Sequence, residues 1–198
     1  MSILESNDAE QARERSKERS EAFVAAIDPA LSAREDRIAL ELAKENSSAK
    51  SKLRKLYHLV ADFSEVSKPF VACGVGCSDC CKMNVSITVV EAEQLAAISG
   101  KPLSRVATPT AYPPEKFSGM PCPFLVDDAC SVYDARPYAC RTHVSFDHNA
   151  HWCHPDRSNI VDRGMVELSG AKEAYIAIAS RSSLRGFADI RDFFSPAT

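Results

Sequence analysis

Eight cysteines lie between Cys73 and Cys153, and the flanks on either side contain none. Thiolates are soft ligands, and a thiolate-rich set selects zinc or iron–sulfur centres over hard cations such as magnesium. The first group is Cys73-x3-Cys77-x2-Cys80-Cys81. Two intervening residues allow a turn to bring two thiols to the same side. Gly74 and Gly76 let the backbone bend between Cys73 and Cys77 and leave amides free to face thiolates. The adjacent pair Cys80-Cys81 is a different problem. Neighbouring side chains diverge in a helix or a strand, so this pair suits two ions, a polynuclear cluster, or one ligand beside one packing residue.

The second group, Cys122-x7-Cys130-x9-Cys140-x12-Cys153, is spread out and must converge by tertiary folding. All eight are candidate ligands, sufficient for two four-sulfur sites or for one iron–sulfur cluster with thiols to spare. Histidine is an alternative zinc ligand. His143 follows Cys140 by three residues, and His148, His151 and His154 crowd around Cys153. His143 and His154 rank first by proximity. A second alternative is that about four thiols bind metal and the others are buried as small apolar side chains.

An even cysteine count also permits disulfides. Met1 to Ser20 is polar and charged and has no apolar stretch of the secretory type. The expectation is therefore a cytoplasmic protein, in which clustered thiols are ligands more often than bridges. No apolar run approaches the roughly 20 residues of a membrane span. With net charge -3, and with 12 basic and 13 acidic residues in 1–68, no basic field favours nucleic acid.

The elements that must position these thiols fall into three parts. Residues 1–68 read as a helical arm. Asn7-Asp8 is the expected cap of a helix through Phe23 and Ile27, and Pro29 ends it. A second helix is expected from Ser32 to about Val66, with its polar section Lys44 to Lys52 open to a break. Its apolar stripe is Leu42, Leu53, Leu56, Tyr57, Leu59, Val60 and Phe63. Residues 69–158 form the cysteine module. Thr88 and Glu91 have capping-box spacing ahead of a helix that Gly100 should stop. Lys101 to Pro123 carries six prolines and reads as irregular chain. Phe124 to Val126 and Ser131 to Tyr133, joined through Asp127-Asp128, predict a short hairpin that sets Cys122 opposite Cys130. Pro137 suits the first turn of a short helix carrying Cys140. Residues 159–198 read as two amphipathic helices packing on the arm. One follows Val166, Leu168, Ala171, Ala174, Tyr175, Ile178 and Ala179; the other follows Phe187, Ile190, Phe193 and Phe194. The expected fold class is mainly α, with a small irregular cysteine-rich metal module and a short β-hairpin.

The cysteine order resembles that of the YkgJ-type cysteine-cluster proteins, described as zinc- or iron-chelating domains. Their pattern is C-x2-C-x2-C-C followed by spaced cysteines. Cys77, Cys80 and Cys81 match the first group directly, and Cys73 stands one residue further off than the pattern has it. Cys122-Pro123-Phe124-Leu125, Cys130-Ser131-Val132-Tyr133 and Arg136-Pro137-Tyr138-Ala139-Cys140-Arg141 match the later elements. The resemblance spans roughly Phe70 to Cys153 and implies metal chelation without implying a reaction.

Three functions follow as expectations. The first is a module that binds zinc or iron, an iron–sulfur cluster being one form, in a structural or redox role. The second is a metal-dependent enzyme, since some flagellin lysine methylases resemble this family through a similar module. The third is a metal carrier or interaction protein that docks a protein partner through the N-terminal helices. Gly-x-x-x-x-Gly-Lys is absent, and no Ser-x-x-Lys or Gly-x-Ser-x-Gly motif stands out as a catalytic signature.

Overall fold

The computed structural model describes residues 3–106, 113, 116–161, 167–181 and 187–194. In chain order the regular elements are α1 (Ile3–Ala26), α2 (Pro29–Lys44), α3 (Ala49–Ser67), β1 (Ser86–Thr88), α4 (Val89–Ser99), β2 (Leu125–Val126), β3 (Ala129–Cys130), α5 (Tyr138–Thr142), α6 (Ser169–Arg181), β4 (Phe187–Asp189) and α7 (Ile190–Phe193). The molecule is mainly helical, with a small cysteine-rich region and short antiparallel strand pairs.

The first helix does not begin at Asn7-Asp8. It already runs from Ile3, so both residues lie inside it. Pro29 opens a helix as much as it ends one. Asp28 caps α2, its carboxylate accepting from the Ala30 amide at 2.7 Å, and Pro29 fills the first turn, where no amide is needed. The long second helix breaks inside its polar section. Ser48 caps α3 by accepting from the Ser51 amide at 3.2 Å. Buried Lys52 donates to the Leu42 carbonyl at 2.6 Å and so satisfies the end of α2.

Two cores result. Leu42, Leu53, Leu56, Leu59, Val60 and Phe63 of α2 and α3 pack with Ala171, Ala174, Tyr175 and Ile178 of α6. Leu168 and Ala171 to Ala179 keep to the expected buried face, whereas Val166 lies outside the described residues. Contact between α2 and α6 is close: a Cβ on Gly170 would stand 2.2 Å from the Glu35 carbonyl oxygen. Buried Glu35 also accepts from the Ala171 amide at 2.8 Å, placing a carboxylate at the amino end of α6.

The second core joins β1, α4, β4 and α7. It contains Ile87, Leu95, Phe124, Val132, Ile190, Phe193 and Phe194. Here the terminal segment departs from expectation. Phe187 is in a strand, with Thr88↔Phe187, Ile87↔Ala188 and Ser86↔Asp189 paired antiparallel. Only Ile190–Phe193 is helical, and it packs in the core of the cysteine region. The period-2 and period-3.6 patterns cannot be told apart over so short a run.

The capping box forms as expected: the Glu91 amide donates to Thr88 Oγ1 at 3.2 Å and the Thr88 amide donates to Glu91 Oε2 at 2.8 Å. Gly100 stops α4 in the left-handed conformation at φ 71. The hairpin is shorter than expected. Asp127 and Asp128, at φ 48 and 56, make its two-residue turn, and the register is Leu125↔Cys130 and Val126↔Ala129. Tyr133 belongs to a 3-10 turn rather than to a strand. Pro137 caps α5 from just outside instead of occupying its first turn. Part of Lys101 to Pro123 lies outside the described residues; Lys101 to Val106 within it has no regular structure.

Candidate metal centre

All eight cysteines are described, and all are free thiols. Cys73 and Cys77 flank the Gly74–Gly76 bend, closed by the Cys77 amide on the Gly74 carbonyl at 3.2 Å, with Gly76 at φ 89. A side chain at Gly76 would be strained there. Cys80 and Cys81 lie in a 3-10 turn, Asp79–Lys82, which is neither helix nor strand. In this turn the two thiols do not diverge. Cys81 is a hydrogen-bonding neighbour of Cys80, and that contact, then burial, pushes the Cys80 thiol far up, against the Arg136 guanidinium, which lowers it.

The later cysteines fold back onto this turn. The Cys122 amide donates to the Cys81 carbonyl at 2.7 Å, and the Gly119 amide donates to the Lys82 carbonyl at 2.8 Å. Cys130 stands at the end of β3 opposite Leu125, not opposite Cys122 as the hairpin expectation had it. Cys122 lies just before β2, bonded through its carbonyl to the Leu125 amide at 2.9 Å. Cys140 sits in α5, where the Pro137 carbonyl accepts its amide at 3.0 Å. Cys153 ends a 3-10 turn with Trp152, and both are buried.

Electrostatic coupling shows which thiols are neighbours. Cys73 is an exposed residue, yet desolvation around its sulfur raises it to about 11, with the Ser145 amide opposing the rise and Cys153, Cys77 and Cys80 adding to it. That amide donates to Cys73 Sγ at 3.2 Å. Cys77 is raised by burial, then by Cys80 and Cys153. Burial raises Cys122 to about 11, opposed by the Phe124 amide and by Arg191. Cys140 is raised by burial, then by Cys122, Cys80 and Cys130. Cys81, Cys130 and Cys140 also pack against the second core, to which buried Cys122 belongs. Spatial neighbours therefore cross the sequence groups. Cys153 couples to Cys73 and Cys77, while Cys80 couples to Cys73, Cys77 and Cys81 on one side and to Cys140 on the other.

Among the described residues, no three His, Cys, Asp or Glu side chains stand close enough together to hold a metal ion. The donor set nonetheless fits zinc or iron by its chemistry: it consists of electrostatically coupled thiols, with cationic Arg136 beside Cys80 and Cys140. Two of the histidines have polar partners on the ring. His148 Nδ1 faces Asp147 at 2.8 Å and its Nε2 faces Asn149 at 2.9 Å. His154 Nδ1 accepts from the Asp156 amide at 3.3 Å.

Residues 72–155 match the family model CxxCxxCC, described as "Putative zinc- or iron-chelating domain". Over these residues the chain is similar to that domain. The match covers all eight cysteines and somewhat less than half of the chain. No curated protein and no solved structure matches the chain.

Two residues outside the CxxCxxCC pattern hold the domain in shape. Buried Arg191 of α7 donates to the carbonyls of Cys81 at 3.2 Å, Met120 at 2.5 Å and Pro121 at 3.3 Å, and pairs with Asp189 at 2.9 Å. It thus binds the backbone on both strands that carry Cys81 and Cys122. Glu91 is 1% exposed and accepts from Tyr57 OH at 2.6 Å, the Tyr138 amide at 2.7 Å and Tyr175 OH at 2.5 Å, besides the capping-box donors. One carboxylate therefore ties α3, α4, α5 and α6 together. The capping-box spacing signalled Glu91 as a cap; nothing in the sequence signalled the tyrosines or Arg191.

Proposed function

We propose that residues 72–155 bind zinc or iron through two neighbouring thiolate sets, Cys73, Cys77, Cys80 and Cys153 in one, and Cys81, Cys122, Cys130 and Cys140 in the other. The observation that carries this is the crossing of the sequence groups: distant cysteines are brought beside the Cys80-Cys81 turn, with the Cys122 amide on the Cys81 carbonyl and the Ser145 amide on Cys73 Sγ. The Cys80-Cys81 turn then lies at the seam between the sets. A polynuclear iron–sulfur centre is the redox variant of the same reading.

The role is structural first. The second core covers one side of the cysteine turns, and thiolate coordination supplies further folding free energy to strands of two or three residues and single 3-10 turns. Metal analysis and an absorption spectrum after anaerobic purification test the reading. Zinc without colour, or iron with broad absorption and acid-labile sulfide, supports it. A metal-free chain that is folded, with all eight thiols titrating freely, overturns it. Free thiols throughout accord with a reducing compartment, and no helix among the described residues is long and apolar enough to cross a membrane.

A further inference from the structure

On the face where α3 meets α4, a groove of about 410 Å³ opens between these helices and the segment from Asp134 to Arg141. Three cationic side chains line it, Lys50, Arg54 and Arg141, against one acid, Asp134. Tyr57 and Ile98 supply apolar wall, and Gln94 a neutral donor.

The cations are of two kinds. Arg141 is fixed. Its Nε donates to the Arg136 carbonyl at 2.6 Å, one terminal nitrogen donates to the Asp134 carbonyl at 2.5 Å, and its guanidinium lies 4.4 Å over the Tyr57 ring. Tyr57 is itself held by Glu91. A guanidinium has five N–H donors, so this arrangement positions Arg141 without exhausting it. No carboxylate forms an ion pair with it among the described residues. Lys50 and Arg54 are exposed, and neither has a hydrogen bond or ion pair among the described residues. The amino end of α3 opens on the same groove through Ser48, Lys50 and Ser51, adding the positive end of a 19-residue helix.

A cleft with a net excess of two positive charges, one of them a pre-oriented fork, matches a dianion with several acceptor oxygens. We propose that this groove binds the phosphate group of a small phosphorylated molecule. Arg141 is the fixed clamp, Lys50 and Arg54 close on the anion from α3, and the organic part lies against Tyr57 and Ile98. The proposal does not rest on the metal reading.

The test is a titration of the ¹⁵N-labelled full chain, carrying its metal as purified, with inorganic phosphate, with glycerol 3-phosphate and with succinate. Both phosphates should shift the amide resonances of Lys50, Ser51 and Gln94 saturably, with half-saturation at about 1 mM or below, and succinate should bind more weakly. The double variant Lys50→Gln/Arg54→Gln alters only exposed side chains and should weaken phosphate binding about tenfold or more with metal content unchanged. An equal response in the double variant places the phosphate elsewhere and overturns the proposal. So does a failure to saturate, or succinate binding as tightly as phosphate.

Discussion

Single residues carry more of this structure than the cysteine pattern suggests. Glu91 accepts five hydrogen bonds while fully buried, from Thr88, Tyr57, Tyr138 and Tyr175. Glu91→Gln substitutes a donor where two hydroxyls and an amide already donate. The expected loss is about 2–4 kcal/mol in urea denaturation; a loss under about 0.5 kcal/mol would mean that the tyrosines find other partners. Asp147 gives a pH signature. Burial alone would raise its carboxyl, but the His148 amide, Arg15 and the His148 ring outweigh burial and lower it. A lowered folded-state value means that this stabilisation is complete above the ordinary carboxylate range and is lost as pH falls through the folded value. Arg15→Gln should therefore lower the melting temperature at pH 7, with the gap to the parent protein closing below about pH 4. A gap that persists undiminished in acid would rule out the ion pair as its source. At this scale the clustering of the thiols was legible, because their spacing is read directly from the sequence. Arg191 was not, because its work is done on the carbonyls of Cys81, Met120 and Pro121, which leave no trace in side-chain spacing.

Helices were legible from periodicity and their boundaries only where a cap was explicit. Thr88, Glu91 and Gly100 announced α4 correctly. Asn7-Asp8 looked like a cap but lies inside α1, since a capping residue within a longer polar run is indistinguishable from a surface residue. Pro29 was ambiguous between stop and start, and Asp28 decides it. The α2–α6 contact turns on Gly170, whose missing side chain lets the Glu35 carbonyl approach. Gly170→Ala should cost about 1–3 kcal/mol, measured by thermal or urea unfolding, because backbone rather than a flexible side chain must move. A neutral substitution would mean that the two helices can separate freely. Arg191→Ala should reduce metal retained after dialysis while leaving the helical circular-dichroism signal of α1 to α3 intact. Equal retention would show that α7 does not position Cys81 and Cys122.

Across the whole molecule, chain segments remote in sequence enclose the cysteines. α1 contributes Ala9 and Ala12 against Trp152 and Val161, and Phe23 against Phe70 and Phe146. Arg19 of the same helix donates to the Phe70 carbonyl at 2.9 Å, three residues before Cys73. β4 pairs with β1 just after the first cysteine group. The mainly helical class was readable because apolar stripes are local. The pairing of β1 with β4 was not, because strands of three residues carry almost no pattern and their partners are about a hundred residues apart. Nor was the crossing of the cysteine groups, which depends on how chain from Cys122 to Cys153 returns to the Cys80-Cys81 turn. The single tryptophan, Trp152, reports on that return, since it is buried beside Cys153. Removing the metal with an external chelator should shift its fluorescence to the red while most far-UV helical signal persists; loss of all helix together would make the metal a condition for the entire fold. The central claim is tested most directly by metal per chain in the parent protein and in two paired variants, Cys73→Ser/Cys153→Ser and Cys122→Ser/Cys140→Ser. Two thiolate sets predict about two zinc or iron ions in the parent if the sites are mononuclear, and each pair should lose about half. Full metal content in both variants, or none in the folded parent, would contradict the account.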